Sequence, residues 1–417
     1  MNRRCAVKNM FILTGGIVST RSIPLLGRSD SLQHYMQLAW DVSWGRFYDK
    51  GTQQFYDYLT SYRRGRGLAH LPTTEEVLRQ YPNVCGYGTG MEDCMISAGI
   101  MIGMVVDKYA VTKEDGLRRD AFYIFKGIQR SATLKGAPGF VARGICVEDM
   151  KSYYINSSRD QYTHTVHGLW HYYHSPLCDR QTQSEIGKIL SAIADRMEKY
   201  VTPDNGYDSM RADGSHDTIG ISKMWDVMAH EAARLPMIYA AAWDTTKNAV
   251  YYTLYRKYIK QAIDQSFAIE ERVTTYALLQ MQCSMELLGS LETDEGLKNK
   301  IEKIKELVAS KSVPRAIKAY EDGKILDLSM LGSDWRRLGG GLDTKGVYRK
   351  VWYCIRESGE AALTQLLFPE YSFTEKQVVI ISQAIKRLDY HRVSSSGIFY
   401  LQAAYWKAIR RGIKLTS

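Results

Sequence analysis

The sequence holds no Cys-x-x-Cys pair and no His-Glu-x-x-His run. Its seven cysteines, Cys5, Cys85, Cys94, Cys146, Cys178, Cys283 and Cys354, stand far apart. That spacing argues against a zinc ribbon or a dithiol redox motif and fits small buried hydrophobes. Cys85 and Cys94 flank a glycine-rich turn and are the pair able to bridge in an oxidising compartment. No basic stripe is present either: the tight clusters are Arg63-Arg64-Gly65-Arg66 and Arg410-Arg411. With no finger, zipper or RNA-binding signature, a nucleic-acid partner is not expected. No run is apolar for the roughly 20 residues that span a bilayer. No motif recurs at a fixed period, which argues against tetratricopeptide and ankyrin arrays.

What is present is ordinary globular composition, 45% hydrophobic and 24% charged over 417 residues. Twenty-nine tyrosines and eight tryptophans are many; such rings fill cores and also stack on sugars. The formal net charge of +10 suits solubility or, more specifically, an anionic ligand such as an acidic polysaccharide. At the N-terminus a basic start precedes the apolar run Met10 to Val18, and Val18-Ser19-Thr20 offers a small-residue cleavage site. Residues 1–22 read equally as a secretory signal or as a plain N-terminal arm. The first reading places the protein in the periplasm or outside the cell, the second in the cytoplasm. No linker divides residues 23–417, which read as one domain.

Apolar spacing of three and four residues predicts helices over about 31–48, 52–63, 91–111, 115–132, 160–175, 181–200, 223–243, 246–266, 272–290, 294–310, 348–367, 375–391 and 395–411. Segments 91–111, 223–243 and 272–290 are apolar nearly all round, as helices buried on every side are. Segments 115–132, 181–200, 246–266, 294–310 and 375–391 carry regular charge and one apolar stripe. Such alternation marks stacked helical hairpins, closed into a ring or open as a solenoid. Long loops over about 134–159, 201–222 and 311–347 favour the ring, because long loops in compact domains are usually functional. The expected fold is all-α, an (α/α)6 toroid of alternating inner and outer helices. Gly397 to Leu401 reads equally as strand or helix.

The stretch from Asp160 to His174, DQYTHTVHGLWHYYH, holds four of the nine histidines. Ser158 is the expected N-cap, with Gln161 three residues on as a capping box requires. At about 100° per residue, His164, His167, His171 and His174 fall within about 80° of arc, together with Asp160. Tyr162, Val166, Leu169, Trp170 and Tyr173 take the opposite side. A histidine face suits a half-buried lumen better than open solvent. His164 with His167, or His167 with His171, could share one ion. The axial rise keeps all four from a single metal, and no metal site is assigned. His164 and His167 are expected to orient substrate or Asp160, and His171 and His174 to pack the lumen.

The sharper chemistry lies with Asp160 and with Asp93 in Gly88-Thr89-Gly90-Met91-Glu92-Asp93-Cys94. Each opens a helix, and inner helices of one ring would bring the two together at its mouth, as paired carboxylates for glycosidic cleavage. The helix dipole favours the ionised form of Asp160. A general acid needs the opposite, a pKa raised by burial or by a second carboxylate. Each acid could equally do no more than cap its helix. Arg159 and Arg143 are candidates to bind a substrate carboxylate, or to pair with local acids. His216 and Asp217 are candidates from the loop Asp213 to Asp217, where ordinary turn chemistry is the alternative. Tyr87, Tyr207, Trp225, Trp335 and Trp44 are candidates to stack on sugar rings, or are core.

Alternating inner and outer helices, the segment Asn156-Ser157-Ser158-Arg159-Asp160-Gln161-Tyr162 and the acidic pair Glu92-Asp93 resemble the six-hairpin glycosidase superfamily. Within it they look loosely like the unsaturated glucuronyl and rhamnogalacturonyl hydrolases. The resemblance covers most of the chain as architecture and is local in motif. It implies Asp160 as general acid and base and Asp93 as assisting carboxylate. The implied substrate is an oligosaccharide or polysaccharide, uronic-acid-containing in those relatives, and no cofactor is called for. The Arg-Gly-Asn-Gly-Trp type motif of those hydrolases is absent; Asp204 to Asp208 with Asp213 to Ile219 is the loop placed to stand in for it. Two readings compete with a glycoside hydrolase. One is a polysaccharide lyase or sugar epimerase using His, Tyr or Arg on the same fold. The other is a noncatalytic glycan-binding ring.

Overall fold

The computed structural model describes residues 31–338 and 346–415. Residues 1–22, Cys5 and the glycines at 339–341 lie outside the described residues. Along the described chain α1 spans Leu32–Val42, α2 Thr74–Leu78, α3 Cys94–Thr112, α4 Gly116–Ala132, α5 Arg159–Tyr173, α6 Arg180–Tyr200 and α7 Arg234–Thr246. Then α8 spans Ala249–Ser266, α9 Thr275–Leu291, α10 Glu295–Asp322, α11 Tyr348–Leu366, α12 Glu375–Lys386 and α13 Ile398–Arg410. A short antiparallel ribbon pairs β1, Tyr48–Asp49, with β2, Gln54–Phe55.

Helices α3, α5, α7, α9, α11 and α13 pack each on the next, and α13 returns to α3, so an inner ring closes. Helices α4, α6, α8, α10 and α12 each fold back on the inner helix before them. The sixth hairpin joins the two ends of the chain: α1 lies on α12 and α13. The molecule is an (α/α)6 toroid. Helix α3 is 19 residues long and apolar enough to cross a membrane by composition, a run the sequence reading passed over, yet 78% of that window is buried inside the ring. It is a core helix.

Glycine lets the inner helices touch. A Cβ on Gly99 of α3 would lie 2.1 Å from the carbonyl oxygen of His164 on α5, and one on Gly168 would lie 2.7 Å from the Cα of Gly99. Backbone therefore meets backbone, and the starts of α3 and α5, which carry Asp93 and Asp160, are held at one end of the ring.

Several expectations need correction. The helix expected over 52–63 is absent; β2 stands there, because the Gln54 amide is buried and bonded to Gly127 O and Ser131 Oγ of α4. The first helix ends as α-helix at Val42 and passes through a π turn, Ser43–Phe47. The helix expected from 223 begins at Arg234, after a 3-10 turn at Ala229–Glu231. Part of the long loop expected over 311–347 is helix, since α10 continues through Pro314 to Asp322 and buries Ala316 and Ala319. Gly397 to Leu401 is helical from Ile398. Cys85 and Cys94 are both free and buried. Their sulfurs face different partners: Cys85 Sγ accepts from Asn156 Nδ2, and Cys94 Sγ donates to Met91 O.

Candidate active site

The N-terminal ends of α3, α5, α9 and α11 surround an open cavity of about 340 Å³. Asp93 and Asp160 both line it, with Tyr87, Glu92, Arg143, Ile219, Tyr276, Arg349, Trp352, Tyr353 and Arg356. Sequence reasoning had named Asp93, Asp160, Arg143 and Tyr87, which the structure brings to one cavity. Aligned helix starts add partial positive charge to this end of the ring.

Each acid is gripped by an arginine. Asp93 occupies the N-cap position of α3 without capping it; its Oδ2 accepts from Arg356 Nη1 at 2.9 Å and its Oδ1 from Gln161 Nε2 at 3.3 Å. Asp160 Oδ1 accepts from Arg234 Nη1 at 2.6 Å. Arg234 is 1% exposed, and its Nη2 donates to Gln280 Oε1. Ser158 does cap α5, accepting from Gln161 N. The capping box is only half made, because the Gln161 side chain turns away to Glu92 O and Asp93. That diversion ties the start of α5 to the start of α3.

Burial alone would raise the Asp160 pKa, but the charges of Arg234, Arg159 and Arg143 outweigh it and hold the carboxyl below its usual range. In the free site Asp160 is a carboxylate, the opposite of the raised state a general acid needs. Arg143, 2% exposed, donates to Glu92 O and to the Tyr87 hydroxyl, with its guanidinium 4.6 Å from the Tyr87 ring centre. Glu92 accepts from the amides of Gly88 and Gly90, whose positive φ turns the loop back on it.

The other proposed binding residues lie elsewhere. Arg159 holds Glu231 at 2.7 Å and donates to Gly220 O and Lys223 O. It braces the loop that carries Ile219 and is not a free clamp for a substrate carboxylate. Asp217, with its side chain 1% exposed, accepts from Asn156 Nδ2 and the amides of Ile219 and Ser222, so it braces the same loop from inside. His216 is exposed beside Asp208, outside the cavity. Trp335 is fully buried with its indole N–H on His70 O, and Trp225 is buried edge-on to Tyr258; neither can stack on a ligand. Tyr207 packs against the core from a left-handed turn position.

The histidine face divides. His164 is buried beneath Gly99, and burial pushes its pKa down to about 3. His167 and His171 both meet Glu286 on α9. His174 is not lumen packing: its side chain is 46% exposed and it bonds Asp244. None of the four lines the cavity of Asp93 and Asp160. The residues that sequence reasoning missed come chiefly from α11, where Arg349, Trp352, Tyr353 and Arg356 share one helical face. Their spacing of i, i+3, i+4 and i+7 is a signal that could have found them.

No model of a known protein family matches this sequence, and no curated protein sequence does. Solved structures do. A sugar epimerase from a ruminal bacterium superposes with a TM-score of 0.50 at 13% identity, over 92% of this chain and 99% of that one. The likeness is one of fold, the closed ring of six helical hairpins. A cellobiose 2-epimerase from Spirochaeta thermophila matches with a TM-score of 0.46 at 13% identity, over 91% and 97% of the two chains. An inactive α-1,6-mannanase variant from Salegentibacter, in complex with α-1,6-mannotetrose, matches with 0.36 at 12% identity, over 67% and 87%.

Proposed function

We propose that this protein is a carbohydrate-active enzyme that hydrolyses a glycosidic bond in the cavity at the ring mouth. The observation that carries this reading is that Asp93 and Asp160 line one open cavity together with aromatic rings and arginines. The partly exposed rings of Tyr87, Tyr276 and Tyr353 are surfaces on which a sugar can stack, and the arginines suit a sugar that carries a carboxylate. In this reading Asp160 is the acid and base, and Asp93 assists. The free site keeps Asp160 ionised, so the substrate itself must restore its proton affinity. A uronate seated against Arg143 shares the positive charge that now depresses Asp160 and adds a negative charge nearby, and both raise the Asp160 pKa. Protonated Asp160 then gives its proton to the leaving oxygen, water adds at the anomeric carbon, and the proton that water loses returns to the carboxylate. The fold likeness to a sugar epimerase supports a sugar as substrate class.

The competing reading is a lyase or epimerase; among the described residues no histidine lines this cavity, so its base would be a tyrosine or arginine there, such as Tyr87, Tyr276 or Arg143. The test is turnover of uronic-acid-containing oligosaccharides. Hydrolysis releases reducing ends without new ultraviolet absorbance. A lyase produces an unsaturated uronide that absorbs, and an epimerase changes the sugar without cleavage. Asp160→Asn is expected to lower kcat by about 10²–10⁴-fold while the far-ultraviolet circular dichroism stays native. Full activity in that variant would remove Asp160 from the mechanism.

A further inference from the structure

Further along α5, away from Asp160, a second cluster joins two inner helices. α5 presents His167 and His171 one turn apart, and α9 presents Glu286. His167 Nε2 lies 2.7 Å and His171 Nε2 3.0 Å from the same oxygen, Glu286 Oε2. The two imidazoles stand edge to face with centres 4.5 Å apart. The candidate ligand atoms of the three residues all lie within 4.8 Å of one another. Both histidines also border a small cavity of about 30 Å³ that Cys283, Asp107 and Lys407 line and Glu286 does not, so the ion would sit between the three side chains and not in that cavity.

Half-buried Glu286 lacks, among the described residues, the lysine or arginine partner that several buried carboxylates have. Asp107 takes Lys407 and Arg410, Glu231 takes Arg159, Glu292 takes Arg256 and Glu360 takes Arg356. Among the described residues no arginine or lysine nitrogen forms an ion pair with Glu286; its partners are the two histidines. Lys407 bears on it electrostatically, but that ammonium is bonded to Asp107 Oδ2 at 3.0 Å.

We propose that His167, His171 and Glu286 form a binding site for a divalent transition-metal ion of the zinc type. Two histidines four residues apart on one helix face are spaced as a chelating pair, and two imidazoles with one carboxylate leave an open position on zinc. Imidazole nitrogen selects such an ion over magnesium or calcium, which prefer oxygen. Zinc–nitrogen bonds of about 2.0–2.1 Å put neighbouring ligand atoms about 3.4 Å apart in a tetrahedron. The present contacts are hydrogen bonds and must open by roughly half an ångström, with each Nε2 proton leaving or moving to Nδ1. The His171 and Glu286 side chains retain 17% and 18% of their exposure, which leaves the ion a way in. Bound there, it would staple α5 to α9 across the inner ring, independently of the chemistry at the mouth.

The test is titration of the metal-stripped, untagged full chain with Zn2+ alone, by calorimetry and by thermal unfolding. One equivalent is expected to bind at micromolar Kd or tighter and to raise Tm. His171→Ala and Glu286→Gln should each weaken binding by at least about 100-fold. His174→Ala, at the C-terminal cap of the same helix but bonded to Asp244, should leave it unchanged. Failure of the wild-type chain to bind below millimolar Zn2+, or undiminished binding in His171→Ala and Glu286→Gln, overturns the site. If those variants fold poorly, protection of the wild-type chain decides. Zn2+ should shield His171 from diethylpyrocarbonate as mapped by mass spectrometry, and shielding confined to other residues overturns the proposal.

Discussion

Replacing Arg234 by glutamine is the perturbation that isolates how the ring charges its mouth. Arg234 is 1% exposed and links Asp160 to Gln280 through its two terminal nitrogens. Taking away one member of a fully buried ion pair costs about 3–5 kcal/mol, because the other charge is left unpaired. The Asp160 side chain keeps 31% of its exposure, so water takes up part of that charge and about 2–4 kcal/mol is expected. At roughly 2 cal/mol/K of unfolding entropy per residue, a chain of this length loses about 1 °C of Tm per kcal/mol, so Tm at pH 7 should fall by about 2–4 °C. The pH dependence carries the sign. In the wild type Asp160 is held below its ordinary range. Its stabilisation is therefore present above the unfolded carboxylate pKa of about 4 and is lost as pH falls through the lower folded value. In Arg234→Gln burial acts upward against Arg159 and Arg143 alone, the Asp160 pKa rises, and the gap between the two proteins shrinks as pH falls from 7 to 4. The assay is thermal and urea unfolding of the wild type, Arg234→Gln, Asp160→Asn and the double variant across that range. A coupling energy of at least about 1 kcal/mol is expected at pH 7. Coupling near zero, or a gap that ignores pH, would refute the reasoning.

Other outcomes follow from single contacts. Burial lifts the Glu360 pKa to about 7 despite the adjacent Arg356, so folding loses stability as pH rises from about 4.5 to 7, by up to about 3 kcal/mol. Glu360→Gln should match the wild type near pH 5 and exceed it at pH 8 in denaturant titration; a variant weaker at pH 8 contradicts the burial argument. Gly99→Ala drives a methyl into the His164 carbonyl and should cost about 3 kcal/mol or more. Gly103→Ala on the same helix meets nothing within 4 Å and should stabilise by about 0.5–1 kcal/mol. Equal effects of these two changes on Tm would show that α3 and α5 do not meet as described.

The sequence by itself determined the alternation of inner and outer helices, and its long loops favoured closure into a ring. Apolar spacing and the alternation of buried with charged helices are local patterns, and they specify inner and outer helices whatever their partners. The start of α5 was legible for the same reason: Ser158 caps it through a bond three residues long, so Asp160 in the first turn needed no tertiary knowledge. What a helical period defines is a face, not the neighbour that face meets. Four histidines on one arc looked like a single wall, but the close crossing at Gly99 buries His164, Glu286 claims His167 and His171, and His174 runs out to Asp244. Arg159 and Asp217 looked like substrate ligands, and only the folded loop showed that their hydrogen-bonding capacity is consumed by backbone and by Glu231. Arg356 reaches Asp93 from 263 residues away. Ring closure decided that contact, and with it the charge of the mouth, because a closed ring places the start of its fifth inner helix across the mouth from the start of its first.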